Sequence, residues 1–452
     1  MTVRKSTLST RGLDLALAGG MRDNFKPILD DPYDPDKNPK GFVNIGTAEN
    51  ALKFPAQLEL DAFNFSYGEG PWGCERLRKA MAKHMTKYFH PLKPITSDDL
   101  LFANGVTSLC EMLGYGIADP GDAILLSRPI YQAFQMDFGT KAKVQSIFTD
   151  FDGVDQFSPK AAEKYEEAFL KAKANGVSIR ALLICNPHNP LGQCYPRESL
   201  IAFMELCNKY QIHLLVDEIY ALSVFDVPSD PHAVPFTSAL AIDYTKHIDP
   251  SYMHVLYGMS KDNACGGLRL GCIYMQNTEL MRAMSAMSNF HWSGNTSERI
   301  AIRMLEDEKW MSWFLDTSKE RLAAKNKLVR RMLDAEGINY HRGSNAGFFI
   351  WVDLRPFLPK TVDEQGNADG WKAEATLVQS FMKAKIFLTP GAMLSAEEPG
   401  WFRLIFSQND RVIKEGFKRL IDTIKGDGAL DEKNGGASHL PIRERGDIPL
   451  PT

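Results

Sequence analysis

Between about residues 98 and 290, short apolar runs rich in β-formers alternate with stretches of helical periodicity. AILLSRP follows PGD, ALLICNP follows SIR, HLLVDEIY follows NKYQI, HVLYGMSK follows SYM, and LGCIYM follows GGLR. Runs this continuous suit strands buried on both faces, and their alternation with helices predicts a mainly parallel, doubly wound α/β sheet. A long helical stretch from Glu308 to Glu336 follows, carrying Trp310, Trp313, Phe314, Leu322, Leu328 and Met332, and is long enough to link two domains. Beyond it, GFFIWVDL and FRLIFS read as strands and Val412 to Ile424 as an amphipathic helix, predicting a small α+β domain. The expected organisation is an arm over residues 1–40 and a large domain over 41–310, whose N-terminal part contributes to the small one. A connecting helix and the small domain then span 311–427, and a flexible tail 428–452.

Composition narrows the classes without changing this picture. The 452 residues are 44% hydrophobic and 24% charged, as in folded globular chains. With 52 basic and 56 acidic side chains the formal charge is -4, so no global field drives the chain onto nucleic acid or an anionic membrane. Seven cysteines lie scattered without CxxC spacing, and an odd number cannot close entirely into intrachain disulfides, which favours a reducing compartment. There is no HExxH; His84 and His90 fall on an amphipathic helix and read as its solvated face, so no metal site is expected. Leu13 to Ala18 is short and interrupted by Asp14, a poor secretory segment, and no run approaches the roughly 18 apolar residues that span a bilayer. The expectation is a cytoplasmic protein with no nucleic-acid or membrane partner.

Four predicted strands end in polar residues of unusual combination, and ligands of such folds bind outside the carboxyl ends of the strands. Asn189 lies in NPHNPLG, where prolines make a rigid extended turn. Asp217 closes the apolar run HLLV and would be costly to bury ionised without a cation; Tyr220 follows it. Lys261, after Ser260, ends YGMSK, and Arg269 sits in the glycine-rich turn GGLRLG. Singly, each is an ordinary cap, charge or turn. Together, an amine, a carboxylate seeking a cation, a neutral amide, a tyrosine and an arginine are the groups that bind pyridoxal 5'-phosphate (PLP).

On these segments the chain resembles the fold type I PLP enzymes of aminotransferase class I/II, and within them the 1-aminocyclopropane-1-carboxylate synthase-like group, over about residues 41–426. GFVNIGTAEN is similar to that group's GxxxxGxAEN and puts Glu49 in the substrate-side carboxylate position. Tyr67 in FSYGEGPWG matches the tyrosine that reaches the phosphate of a neighbouring subunit's cofactor, which implies a homodimer. Val106 and Thr107 in NGVTSL match the phosphate-cradling helix start, and Tyr131 in SRPIYQAF the aromatic stacked on the cofactor ring. Asn189, Asp217, Tyr220, Ser260, Lys261 and Arg269 fall on cofactor positions, with Lys261 the covalent attachment point and base. Arg403 in EPGWFRLIFS falls on the arginine that holds the substrate α-carboxylate, with Asn189 also on the substrate side.

Two departures bear on the reaction. Where the plant synthases have aromatic-PGFDRD, this chain has Gln132-Ala-Phe-Gln-Met-Asp137, so an arginine that helps handle their sulfonium substrate is replaced by Met136. The usual serine three residues before the lysine is Gly258, which removes one hydroxyl from the phosphate cradle. Fungal synthase-like proteins include carbon–sulfur lyases of sulfur-containing secondary metabolism, and the chain is similar to them in the same segments. The resemblance therefore implies a lyase acting on an amino acid with a sulfur leaving group, either a cysteine S-conjugate or an S-adenosylmethionine-like compound. Aminotransfer between an amino acid and a keto acid is the alternative, and cofactor binding without catalysis a third.

Overall fold

The computed structural model describes residues 31–45, 68–228 and 230–426. Among them the strands are β1 (Val43–Asn44), β2 (Leu100–Ala103), β3 (Ala123–Leu126), β4 (Gln145–Phe148), β5 (Ile179–Cys185), β6 (His213–Asp217), β7 (Met253–Gly258), β8 (Gly271–Met275), β9 (Phe349–Asp353), β10 (Ile386–Phe387), β11 (Thr389–Pro390) and β12 (Trp401–Ile405). The α-helices are α1 (Glu75–Phe89), α2 (Val106–Ile117), α3 (Ala133–Gly139), α4 (Ala161–Ala174), α5 (Arg197–Tyr210), α6 (Thr278–Met287), α7 (Asn295–Glu306), α8 (Glu308–Ala335), α9 (Gly370–Lys383) and α10 (Asp410–Ile424). They divide into two compact units, the larger comprising described residues 68–228, 230–354 and 389–408, and the smaller the rest.

In the larger unit one sheet has the order β2-β8-β7-β6-β5-β3-β4. Every neighbouring pair from β7 to β4 is parallel, whereas β8 runs antiparallel to both β7 and β2. The central strands β6 and β7 are buried almost along their whole length, as their continuous apolar runs require. The edge strand β4, QSIF, is half-buried throughout. Because β2, β3, β5, β6 and β7 share one direction, the segments that follow them open on one edge, and β8, running the other way, starts there. That edge is where the fold delivers its polar residues.

Helix α8 is capped by Asp307, whose Oδ1 accepts from Trp310 N at 3.0 Å. It buries Met311, Phe314, Leu315, Leu322, Val329 and Leu333 at helical spacing, while Trp313 stays largely exposed. α8 belongs to the larger unit along its whole length, as do β9, β11 and β12, which form an antiparallel sheet with β12 in the middle. In the smaller unit β1 pairs in parallel with β10, and α9 and α10 complete it. Gly416 lets α10 lie close to β1, since a Cβ there would stand 3.2 Å from the side chains of Val43 and Ile45. Arg419 of α10 donates to Gly41 O at 2.6 Å and Pro39 O at 2.8 Å, which ties the described part of the Pro-rich arm to this unit.

His84 departs from its reading as a solvated residue. It is 4% exposed, lies 4.9 Å from the ring of Tyr88 and stacks 6.1 Å from that of Tyr257. Burial pushes its pKa down to about 3, so it is a neutral core histidine. None of the seven cysteines is in a disulfide. Among the described residues no helix is long and apolar enough to cross a membrane, and no group of three or more His, Cys, Asp or Glu is placed to hold a metal.

Candidate active site

Asp217 ends β6 at the sheet's polar edge and is 5% exposed. Its Oδ1 accepts from Ile219 N at 3.1 Å, yet burial pushes its pKa up to about 7, with the charge of Lys261 acting in the opposite sense. A carboxylate in that state calls for a further cationic donor. Asp137, on α3, is likewise pushed to about 7 by burial and then by repulsion from Asp217 and Glu111. The phenols of Tyr220 and Tyr131 are raised by burial, that of Tyr131 to about 12, and the charge of Arg403 pulls both back. The ring of Tyr220 meets Phe348 and Phe349 edge-on at 5.4 and 5.3 Å.

Arg403, in the middle of β12, is 2% exposed. Its Nη1 donates to Asn189 Oδ1 at 2.8 Å and its Nη2 to Thr389 Oγ1 at 3.2 Å. Two neutral oxygens thus orient a guanidinium whose charge burial disfavours. Asn189 sits in a turn with cis peptides at Asn186-Pro187 and Asn189-Pro190. That turn is held by Tyr195 N donating to Asn186 Oδ1 at 3.0 Å and Asn186 Nδ2 donating to Thr237 O at 3.0 Å.

The third part is a cradle at the start of α2. Its backbone bonds begin with Ser108 N to Gly105 O at 3.1 Å, so the amides of Val106 and Thr107 precede the helical ladder, and no acidic residue lies in the first turn. Gly105 has a φ of 87°, and a Cβ there would stand 2.5 Å from Nη2 of Arg269, whose Nη1 donates to Gly266 O at 3.0 Å. A Cβ at Gly271 would stand 2.5 Å from Val106 N, and one at Gly258, its partner across β7 and β8, 2.5 Å from Leu270 O. Glycine at 258 therefore has a steric cause besides the missing hydroxyl. Ser260 and Lys261 follow, both half-buried.

These residues fit PLP. Asp217 suits a pyridinium N-H, the open helix start with Arg269 suits a phosphate, and Tyr131 offers a ring face. The structure brings Tyr131, Asn189, Asp217, Tyr220, Lys261 and Arg403 into mutual electrostatic or hydrogen-bonding reach and sets Val106, Thr107 and Arg269 at the cradle. Tyr67 and Glu49 lie outside the described residues. Thr389, Asp137 and Asp262 are additional polar residues of this region that no sequence signal singled out. Thr389 is one hydroxyl among many, and the two acids read as ordinary helix and loop charges.

Comparison with known proteins agrees. The family model for aminotransferase class I and II matches residues 55–420. A 1-aminocyclopropane-1-carboxylate synthase-like protein 1 of Takifugu rubripes is 32% identical over 439 residues, 93% of this chain and 68% of its own. The 1-aminocyclopropane-1-carboxylate synthase 1 of Prunus mume is 32% identical over 88% of this chain and 81% of its own. Aspartate aminotransferase from Thermus thermophilus with maleate superposes with a TM-score of 0.71 at 18% identity, over 92% of this chain and 100% of that one, a likeness of fold. The chain belongs to the class I and II aminotransferases, a PLP-dependent family of fold type I, with synthase-like proteins among its relatives.

Proposed function

We propose that this chain is a PLP-dependent carbon–sulfur lyase that acts on an amino acid with a sulfur leaving group. The observation that carries the amino-acid part is Arg403, buried and oriented by Asn189 and Thr389 beside Tyr131 and Tyr220. A planar guanidinium so held binds an α-carboxylate by a two-point fork. Lys261 would attach the cofactor, Asp217 would hold its ring nitrogen, and Val106, Thr107, Ser260 and Arg269 its phosphate, while Asn189, Tyr131 and Tyr220 would orient the ring. PLP, when bound, supplies an electron-withdrawing ring that accepts the electron pair released at the substrate α-carbon. Lys261 Nζ would take the α-proton and could pass it to the departing sulfur, so that a cysteine S-conjugate with one water gives thiol, ammonia and pyruvate.

The lyase assignment is supported by the named synthases and synthase-like relatives and by the segments around Glu49 and Arg403. Met136, 52% exposed on α3, stands where the plant synthases carry an arginine and brings no charge. This favours a cysteine S-conjugate over S-adenosylmethionine. The family match and the aspartate aminotransferase fold support the second reading, aminotransfer. Tyr67 adds a two-fold homodimer to the proposal, and light scattering that found an active monomer would contradict it. The seven thiols, none in a disulfide, suit a cytoplasmic setting. The deciding experiment gives the holoenzyme a cysteine S-conjugate, S-adenosylmethionine, or an amino acid with a keto acid. Thiol and pyruvate released from the conjugate without an acceptor is the expected result. A lasting spectral change that only a keto acid reverses would make it an aminotransferase.

A further inference from the structure

Lys261 sits on an irregular segment between β7 and β8 with positive φ at Ala264 (52°) and Arg269 (54°). The backbone ties within this segment include Met259 N to Leu270 O at 3.0 Å, Cys265 N to Met259 O at 3.0 Å and Ala264 N to Lys261 O at 3.1 Å. The neighbouring side chain is anchored more heavily. Asp262 is 1% exposed and accepts from Leu222 N at 2.8 Å, from Ser223 Oγ at 2.6 Å and from Tyr257 OH at 3.1 Å. Two of these donors follow Tyr220 by two and three residues, and the third lies on β7. Ser223 is itself fixed, since its carbonyl accepts from Gly347 N at 2.9 Å, next to the Phe348 and Phe349 rings that flank Tyr220. The Tyr257 ring packs edge-on against Phe89 at 4.9 Å. Burial pushes the Asp262 carboxyl up to about 7, and the three donors work against that shift.

We propose that Asp262 is a positioning residue, a sealed carboxylate that ties the segment carrying Lys261 to the segment carrying Tyr220 and so sets where the amine stands relative to the phenol. A buried carboxylate needs its donors, and here they come from the Tyr220 segment and from the strand that delivers the lysine. Asparagine is a poor substitute: its Oδ1 can keep the bonds from Leu222 N and Tyr257 OH, but its Nδ2 forces the Ser223 hydroxyl to turn and accept, and the carboxylate is lost. The inference rests on Lys261 being the cofactor lysine.

The test compares wild type, Asp262→Asn, Ser223→Ala and Tyr257→Phe as holoenzymes. It records the thermal midpoint, the pH midpoint of the holoenzyme's visible band, and kcat and KM for the substrate found above. Asp262→Asn is expected to move the pH midpoint by about half a unit and lower kcat on the order of tenfold, with KM changing much less. Ser223→Ala and Tyr257→Phe keep the carboxylate and are expected to shift both in the same direction by less. If the variants melt earlier but keep the wild-type pH midpoint and kcat, Asp262 is only a structural residue and the proposal fails. Should Asp262→Asn not fold, unchanged midpoints and kcat in both other variants would overturn it. A wild-type enzyme without a visible band, or a band that survives in Lys261→Ala, would instead sink the reading of Lys261 and leave a different signature.

Discussion

The two ends of the central strands bury polar groups in opposite ways. At the N-terminal end, His213 opens β6 and His254 lies second in β7, with Nδ1 of the first 2.9 Å from Nε2 of the second and the rings 5.1 Å apart. Burial lowers both, His213 to about 4, so the pair is neutral and shares one hydrogen bond. At the C-terminal end, Asp217 is pushed up to about 7, and Asn189, in the turn beyond β5, accepts from Arg403 of β12, which also donates to Thr389. Neutral partners that share a hydrogen bond suit a core. A buried carboxylate and a buried guanidinium gathered at one edge are charges that a ligand of opposite sign can engage. The difference separates a packing solution from the candidate site at the other end of the sheet.

The largest expected break in this contrast is Lys261→Ala. It should abolish the visible band and lower turnover on the order of 10⁴-fold, whereas His213→Gln should leave turnover within twofold, about the scatter of such a comparison. Steady-state kinetics on both variants checks this. Arg403→Lys comes next. It keeps the charge but loses the fork, and kcat/KM should fall about tenfold to a hundredfold, mostly through KM. An unchanged KM would mean that the α-carboxylate binds elsewhere.

Gly258→Ser sharpens the steric side. A side chain there meets Leu270 O at 2.5 Å, so the added hydroxyl should not improve PLP affinity, and unfolding in denaturant should show a loss of about 1–3 kcal/mol. The smallest effect is a pair of opposed pH slopes in the apoprotein. Asp217 is an acid raised in the fold, so its contribution to stability is present below the usual carboxylate range and is lost as pH rises through about 7. His213 is a base lowered in the fold, so its contribution is present above the usual imidazole value and is lost as pH falls towards about 4. Denaturation at pH 5 and pH 8 should therefore show Asp217→Asn gaining relative stability at the higher pH, and His213→Gln at the lower. The same sign in both would contradict the contrast.

Much of this architecture is legible in the sequence, and the gaps have physical causes. The runs ALLIC, HLLVD and HVLYG are continuous because β5, β6 and β7 are covered on both faces. β4 is not legible because, on the sheet's edge, it lacks the apolar continuity of the others. That β8 runs against its neighbours depends on how residues 259–270 turn back, which composition does not report. Asp217 and Lys261 are visible as charges closing apolar runs, and Arg269 as a charge in a glycine-rich turn. Thr389 and Asp262 are not, because their roles depend on Arg403 and on Ser223 and Tyr257, partners distant in sequence or defined only by the fold. His84 misled because one helical face looks amphipathic until Tyr257 covers it.

The most direct test of the central claim is to reduce the holoenzyme with borohydride, digest it, and locate the pyridoxyl adduct by mass spectrometry. An adduct on the peptide containing Lys261, absent in Lys261→Ala, is the predicted result. An adduct on another lysine, or none in a protein saturated with PLP, would contradict the assignment of the strand ends as the cofactor site.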